Sequence, residues 1–538
     1  MLSGDEDDNI TEPMFLNPRH AAEVSMVDEL FVKQYPNPLA GSPLPNQQPT
    51  SEHKKYLKKL RAMQGVDKAN SWAPFRSEME WRIAQWAKLR GPSSTALTEL
   101  LSIPNISHIC RPSPNELNKI IDEHLPSRPQ FKVETVVIHG ESFEIYFRDI
   151  LECIRALFSE PDFAPYMKYS PERHWTDETH SSRMYSDMHT GEWWWLKQNV
   201  LDDRCGPGST IIPLIFSTDK TLVTNFRGKS AYPIYLTLGN IPKEIHSKPS
   251  SRAYVLVGYL PTSKLEHIDV KAACRRAHLN VFHTCMKHIL KPLENTGASG
   301  IHLSSGDGLV RRAHPLMAIY ACDYPEQIAV TCSRYGDCPE CQIIEEMMGE
   351  GTSLYPVRDL VKVLHALNTL DDEGPAGFQE ACKEARVKAV FEPFWKDLPY
   401  SNVFRSITPN ILHQLYQGVI KHLKNWVIAA YGPAEIDARC RRLPPNHHVR
   451  LFVNGISSLS RLTGEEHNDI ARFLLSIIVD IPLPGGFSSV RIIRCVRALI
   501  DFLYIAQYPS HTNETLELLE DALTRFHGNK DIFVDLGI

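Results

Sequence analysis

No run in this 538-residue chain approaches the roughly 20 consecutive apolar residues that span a bilayer. The opening MLSGDEDDNITEP carries acids where a secretory signal needs a basic start and an apolar stretch, so an intracellular protein is expected. Basic excess is missing as well: 58 Lys and Arg face 64 Asp and Glu, for a net charge of −6. Dedicated nucleic-acid binders usually show the reverse, so any DNA contact has to come from local basic surface. Arg311, Arg312, Arg439, Arg441, Arg442, Lys421 and Lys424 are the residues on offer, each equally readable as solvated charge. No HExxH motif is present, which argues against a zinc-dependent hydrolase. The 12 cysteines follow no regular framework, and in a reducing compartment they are expected as free thiols or metal ligands.

What is present is ordinary globular composition, 43% hydrophobic and 23% charged, with a length that suits two to four domains. Residues 1–70 read as a tail, acidic first, then rich in Pro, Asn and Gln, then basic. Residues 71–165 look helical: WAPFRSEMEWRIAQWAKLRG sets Met79, Ile83 and Trp86 near one face, and SSTALTELLSI opens on a cap signal. From about residue 208, STIIPLIFSTDK, SAYPIYLTLGNIP and SRAYVLVGYLPT are β-rich runs parted by turn residues, which predicts an antiparallel meander. Residues 266–290 return to helix, and 408–430, 456–480 and 486–508 are amphipathic helix candidates.

Several residues are placed where chemistry is plausible, each beside a plainer explanation. Asp219 closes an apolar β run, a costly position for a charge unless a metal or polar rim compensates; a hairpin-turn Asp is the plain alternative. Asp323 follows the run Leu316–Ala321 and precedes Tyr-Pro, again at the end of a buried element, whereas Asp307, between two glycines, reads as a turn residue. Cys338-Pro-Glu-Cys341 is a CxxC knuckle able to offer two thiolates to one zinc. Its missing partners are sought in Cys332 or in a distant histidine, with His413 and His422 on a downstream helix. Glu465 and Glu466 open a helix with apolar face Ile470, Phe473, Leu474 and Ile477, where the helix dipole alone accounts for acids. The cluster Trp193-Trp194-Trp195 suits either base stacking or burial between elements, and burial is the favoured reading.

Together these segments resemble the Plavaka-type transposases of the Kyakuja–Dileera–Zisupton group, found in fungal genomes. The blocks that carry the likeness include RMYSDMHTGEWWWLKQ, GSTIIPLIFSTDKTLVTNFRGKSAYPIYLTLGNIPKEIHSKPSSRAYVLVGYLPT and SSGDGLVRRAHPLMAIYACDYPEQIAVTC. Further on come the CPEC knuckle, ITPNILHQLYQGVIKHLKNW and RCRRLPPNHHVRLFVNGISSLSRLTGEEHNDIARFL. The resemblance implies an α+β protein: an RNase H-like core of mixed sheet flanked by helices, with a zinc-knuckle insertion and a helical N-terminal region. It divides the chain into a tail (1–70), the helical region (71–200), the first part of the core (201–331), the knuckle insertion (332–405) and a helical completion (406–538).

The activity implied is DDE-type cleavage and strand transfer at transposon ends. Asp219, Asp323 and Glu466 (Glu465 the fallback) would hold Mg²⁺ or Mn²⁺. A structural Zn²⁺ is implied at Cys338, Cys341, His413 and Cys332, with His422 the other choice for the fourth ligand. Double-stranded DNA, both terminal inverted repeats and target, is the implied partner, with a homodimer on DNA and action in the nucleus. The departures are Asn410, where the family usually carries Asp, the lack of an N-terminal finger, and a short C-terminal region, as a truncated or decaying copy would show. The alternative expectation is a catalytically inactive, transposase-derived nuclear DNA-binding or interaction protein.

Overall fold

The structure, a computed structural model, describes residues 30–45, 58, 61–62, 70, 72–91, 93–104, 113–124, 129–138, 140–224, 229–263, 265–351 and 354–538. In chain order the strands are β1 (Phe31–Gln34), β2 (Lys132–Ile138), β3 (Glu141–Phe147), β4 (Glu172–Trp175), β5 (Arg183–Tyr185), β6 (Ser209–Thr218) and β7 (Thr221–Thr224). They continue with β8 (Lys229–Ala231), β9 (Pro233–Leu238), β10 (Val255–Tyr259), β11 (Ile301–Ser304), β12 (Val310–Ala321) and β13 (His511–Thr512). The α+β expectation holds, with a mixed sheet and flanking helices.

The main sheet has seven strands in the order β11-β12-β6-β9-β10-β3-β2. Strands β6 and β12 run parallel; every other neighbouring pair is antiparallel. The β6, β9 and β10 meander is therefore as the three β-rich runs predicted. Strands β6 and β12 are buried or half-buried along their whole length because both of their faces are covered, and each carries a continuous apolar run at its centre. Alternation divides the faces. Ile212, Leu214 and Phe216 belong to the large core shared with helices Ile150–Phe158 and Lys271–Leu290. Ile211 and Leu316 instead bury Trp194 and Leu201 of helix Glu192–Cys205.

A four-stranded sheet, β1-β4-β5-β13, joins segments remote in sequence. Within the stretch expected to be a weakly ordered tail, residues 30–45 supply β1 and then strap across the main sheet. The Gly41 N–H reaches the Ser209 carbonyl at 3.1 Å and the Leu44 N–H reaches that of Val310 at 2.7 Å. Gly41 is required here: its φ is +72°, and a Cβ would sit 2.4 Å from the Tyr169 carbonyl oxygen.

Two helical expectations are corrected. Residues 132–147 form the β2–β3 hairpin, which turns through Gly140 at φ +83°. Helix Glu78–Arg90 buries Glu80, Ala84 and Ala87, while Met79 and Trp86 of the expected apolar face are exposed. Glu80 tolerates burial because its carboxylate accepts the Arg76 N–H at 2.7 Å. At the C-terminal end, helices 411–420, 421–431, 464–474 and 489–505 build a second core. Ile470, Phe473, Leu474 and Ile477 are buried in it as the amphipathic pattern predicted. The tryptophan cluster also packs: Trp194 is fully buried, and Trp195 lies edge-on to Tyr35 (5.1 Å between centroids) beneath the Arg173 guanidinium. Among the described residues no helix is long and apolar enough to cross a membrane.

Candidate functional site

The register of β6 on β12 decides what leaves the sheet at its edge. Ser217 lies opposite Ala321, so Asp219 and Asp323 each stand two residues past a paired position on neighbouring strands of the same direction. Strands pair about 4.8 Å apart, and the carboxyl ends of parallel strands are where open sheets place their sites. Two acids far apart in sequence thus leave the sheet at the same end of neighbouring strands. Asp219 is exposed between β6 and β7, with Thr221 Oγ1 at 3.4 Å from its Oδ2. Asp323 is half-buried and caps the helix Tyr324–Val330, accepting the Glu326 N–H on Oδ1 at 3.1 Å.

Glu326 was not singled out from the sequence. Its Oε1 accepts hydrogen bonds from the Thr218 hydroxyl at 2.5 Å and from the Tyr232 hydroxyl. Thr218 in turn meets the buried Tyr320 hydroxyl at 3.1 Å. Burial raises the Glu326 pKa above the usual carboxylate range, the two hydroxyl bonds oppose that rise, and the charges of Asp323 and Asp219 add to it. Both aspartates therefore act on one carboxyl group. Its sequence signal was an acid three residues past Asp323, in the first helical turn, where capping alone already explains acids.

Glu466 is held differently. It forms a capping box with Thr463, accepting the Thr463 N–H at 2.8 Å, and it is ion-paired to Arg450. Its helix begins against Leu412, on the helix whose Gln414 reaches Gln327 at 3.3 Å, so a series of intermediate contacts links it to the region of the strand-end aspartates. Asp219, Asp323 and Glu466 do not form a group whose ligand atoms lie within 4.8 Å of one another; among the described residues that spacing is met by Glu172, His174 and His189.

Asn410 sits close by, three residues after Ile407, which bridges Tyr320 of β12 in parallel. Its Oδ1 accepts the His413 N–H at 3.0 Å and so caps helix 411–420. Asn and Asp serve equally well in that position.

At the knuckle, the Glu340 and Cys341 N–H groups both point to Cys338 Sγ at 3.4 Å, the turn that presents two sulfurs to one side. The other expected zinc ligands are not brought to it. Cys332 is fully buried with its Sγ 3.2 Å from His283 Nε2, and burial pushes its thiol well up. His413 is exposed on its helix.

The basic residues offered for DNA are largely committed elsewhere. Arg311 is buried, with a bidentate pair to Asp307 at 2.8 and 3.0 Å, a bond to the Gly41 carbonyl at 2.9 Å, and the Tyr169 ring beneath it. Asp307 is thus the turn residue expected of it. Lys424 is buried against the Leu459 carbonyl, and Arg439 pairs with Glu435 and Asp480. Arg311→Ala is expected to cost about 2–3 kcal/mol, below the roughly 3–5 of a fully buried pair because Asp307 keeps some water, and to leave DNA affinity unchanged. Urea midpoints and a binding titration check both halves.

No curated protein matches the chain. The family model described as Plavaka transposase matches residues 112–427. That span takes in the hairpin β2–β3, the whole β6-to-β12 region with Asp219 and Asp323, and the knuckle, and it exceeds half of the sequence. The chain belongs to the Plavaka transposase family.

Proposed function

We propose that the protein is a DDE-type DNA transposase with an RNase H-like core, which cuts phosphodiesters at transposon ends and joins them to target DNA. The observation that carries this reading is the pair of acids at the carboxyl ends of the parallel strands β6 and β12. The donor chemistry fits the cation that the family implies, since Mg²⁺ or Mn²⁺ prefers carboxylate oxygens and Asp219 remains open to solvent. When bound by Asp219 and Asp323, such ions would stabilise charge on the attacking and leaving oxygens.

The chain's own groups do the rest. β6 and β12 fix the separation of the two aspartates. The helix at Tyr324 holds Asp323 by its cap, and Thr218 and Tyr232 hold Glu326 behind the pair. Glu466 is the third acid of this proposal, as the family likeness implies; Arg450 holds it in the present arrangement. A DNA phosphate offers that guanidinium an alternative bidentate partner. Glu326 acts by positioning through Thr218, the residue before Asp219, so Glu326→Gln is expected to lower cleavage about 10-fold, at the low end of the range for supporting groups around metal ligands. A nicking assay on oligonucleotides bearing the terminal repeats reads this; an unchanged rate would make Glu326 a structural bystander.

Cys338 and Cys341 are proposed as two ligands of a structural zinc, completed by groups outside the pair Cys332 and His413 as they now stand. Cys338→Ser is expected to remove about one zinc equivalent from purified protein. Metal analysis that finds the same zinc content in both proteins would dispose of the site. The ion pair of Glu466 with Arg450 favours one other reading, a catalytically silent DNA-binding descendant acting in the nucleus. An excision assay with flanking terminal inverted repeats separates the two, because the silent protein binds the repeats and releases nothing.

A further inference from the structure

Away from the strand-end acids, a compact set of nitrogen and oxygen donors lies in the four-stranded sheet. Glu172 and His174 are two residues apart on β4 and so share a face. His189 comes from the short helical turn Met188–Thr190 that follows β5. Glu172 Oε2 lies 2.9 Å from His174 Nε2 and 3.8 Å from His189 Nε2. Both imidazoles are buried, with their rings 5.7 Å apart and nearly perpendicular.

We propose that Glu172, His174 and His189 bind one zinc-class divalent cation, as a site separate from both the strand-end aspartates and the cysteine knuckle. A tetrahedral zinc with donors at about 2.0–2.1 Å sets those donors about 3.3 Å apart, and the two observed separations bracket that value. Two imidazoles and one carboxylate are a borderline-soft donor set suited to zinc and its neighbours rather than to Mg²⁺.

The surroundings orient the donors. Glu172 Oε1 is occupied by Gln34 Nε2 at 3.3 Å and Lys168 Nζ at 3.6 Å, which turns Oε2 toward the imidazoles. Arg183 donates to the carbonyls of His174, Met184 and Thr190, so from β5 it ties β4 to the turn, the two elements that carry the ligands. Asp187 and Thr190 lock that turn with a capping box. Burial lowers the His189 pKa to about 4, so it stays neutral, the form that ligates. An ion here would hold β4 to the turn after β5 and steady the sheet that also receives β1 and β13.

The test uses the full-length protein with Cys338→Ser and Cys341→Ser, stripped by chelator and titrated with Co²⁺. The expected result is one equivalent bound with a visible d–d spectrum and no thiolate charge-transfer band. Adding Glu172→Gln, which preserves shape, or His189→Ala should weaken Co²⁺ binding at least 10-fold while the circular dichroism spectrum is retained. If the cysteine variants fail to fold, the comparison is made between wild-type protein and Glu172→Gln, where one zinc equivalent should be lost and the thiolate band kept. Absence of stoichiometric Co²⁺ binding in the knuckle-less protein, or binding indifferent to Glu172 and His189, overturns the proposal.

Discussion

Asp219→Ala and Asp323→Ala are each expected to lower strand cleavage at the terminal repeats by about 10³-fold or more, with the protein still folded and still binding DNA. The size follows from the role proposed for the two carboxylates: they would hold the divalent cations that stabilise the attacking and leaving oxygens, and losing one such electrostatic contact typically costs about 10²–10³-fold. The fold should tolerate both changes. Asp219 is exposed beyond the end of β6, and Asp323 contributes one helix cap, worth about 1 kcal/mol. Glu466→Gln belongs to the same series, and Asn410→Asp is its informative control. Because Asn410 caps its helix as an Asp would, adding the acid should leave cleavage unchanged. A protein that is inert until Asn410→Asp is introduced would move the second acid from 323 to 410. Single-turnover nicking, with band-shift titration alongside, gives each outcome.

Trp194→Ala should produce the largest loss of stability among the substitutions considered, about 3–5 kcal/mol. The indole is fully buried where helix Glu192–Cys205 meets the β6–β12 face, against Leu201, Ile211 and Leu316. Nothing nearby is small or loose enough to fill the void cheaply, since Ile211 and Leu316 lie on the two strands that define the sheet. Trp194→Phe should cost less than half as much. The indole N–H has no hydrogen-bond partner among the described residues, so the smaller ring forfeits volume and no polar contact. Denaturant melts of the two variants provide the comparison. Equal losses would mean that the N–H is bonded after all, and a normal melt with weakened DNA binding would restore the base-stacking role that burial argues against.

The sequence announced some of these elements clearly and others hardly at all. The meander β6, β9, β10 was legible because each run alternates or saturates with apolar residues and ends on turn formers. The hairpin β2–β3 is masked by the helical patterns on either side of it, although ESFEIYF alternates as a strand does. Its edge strand is largely exposed, so composition gave little help. Asp219 and Asp323 stood out as charges at the ends of apolar runs. Their meeting depends on a parallel pairing across a long stretch of chain, which no local pattern encodes. Arg311 looked like surface charge because burial is a tertiary property; only the fold reveals that Asp307 and Tyr169 enclose it. The trio of Glu172, His174 and His189 escaped notice for the same reason, since its members sit on two elements and no ligand spacing links them.

The four-stranded sheet makes one part of the fold hostage to a late stretch of chain. Its outer strands are residues 31–34 and 511–512, so segments very far apart along the chain finish one small sheet. A translation product halted before residue 511 leaves β5 with an unpaired rim, and bare rims invite neighbouring molecules to add strands of their own. A chain ended before residue 511 should therefore self-associate along β5, which size-exclusion chromatography against the full-length protein reads.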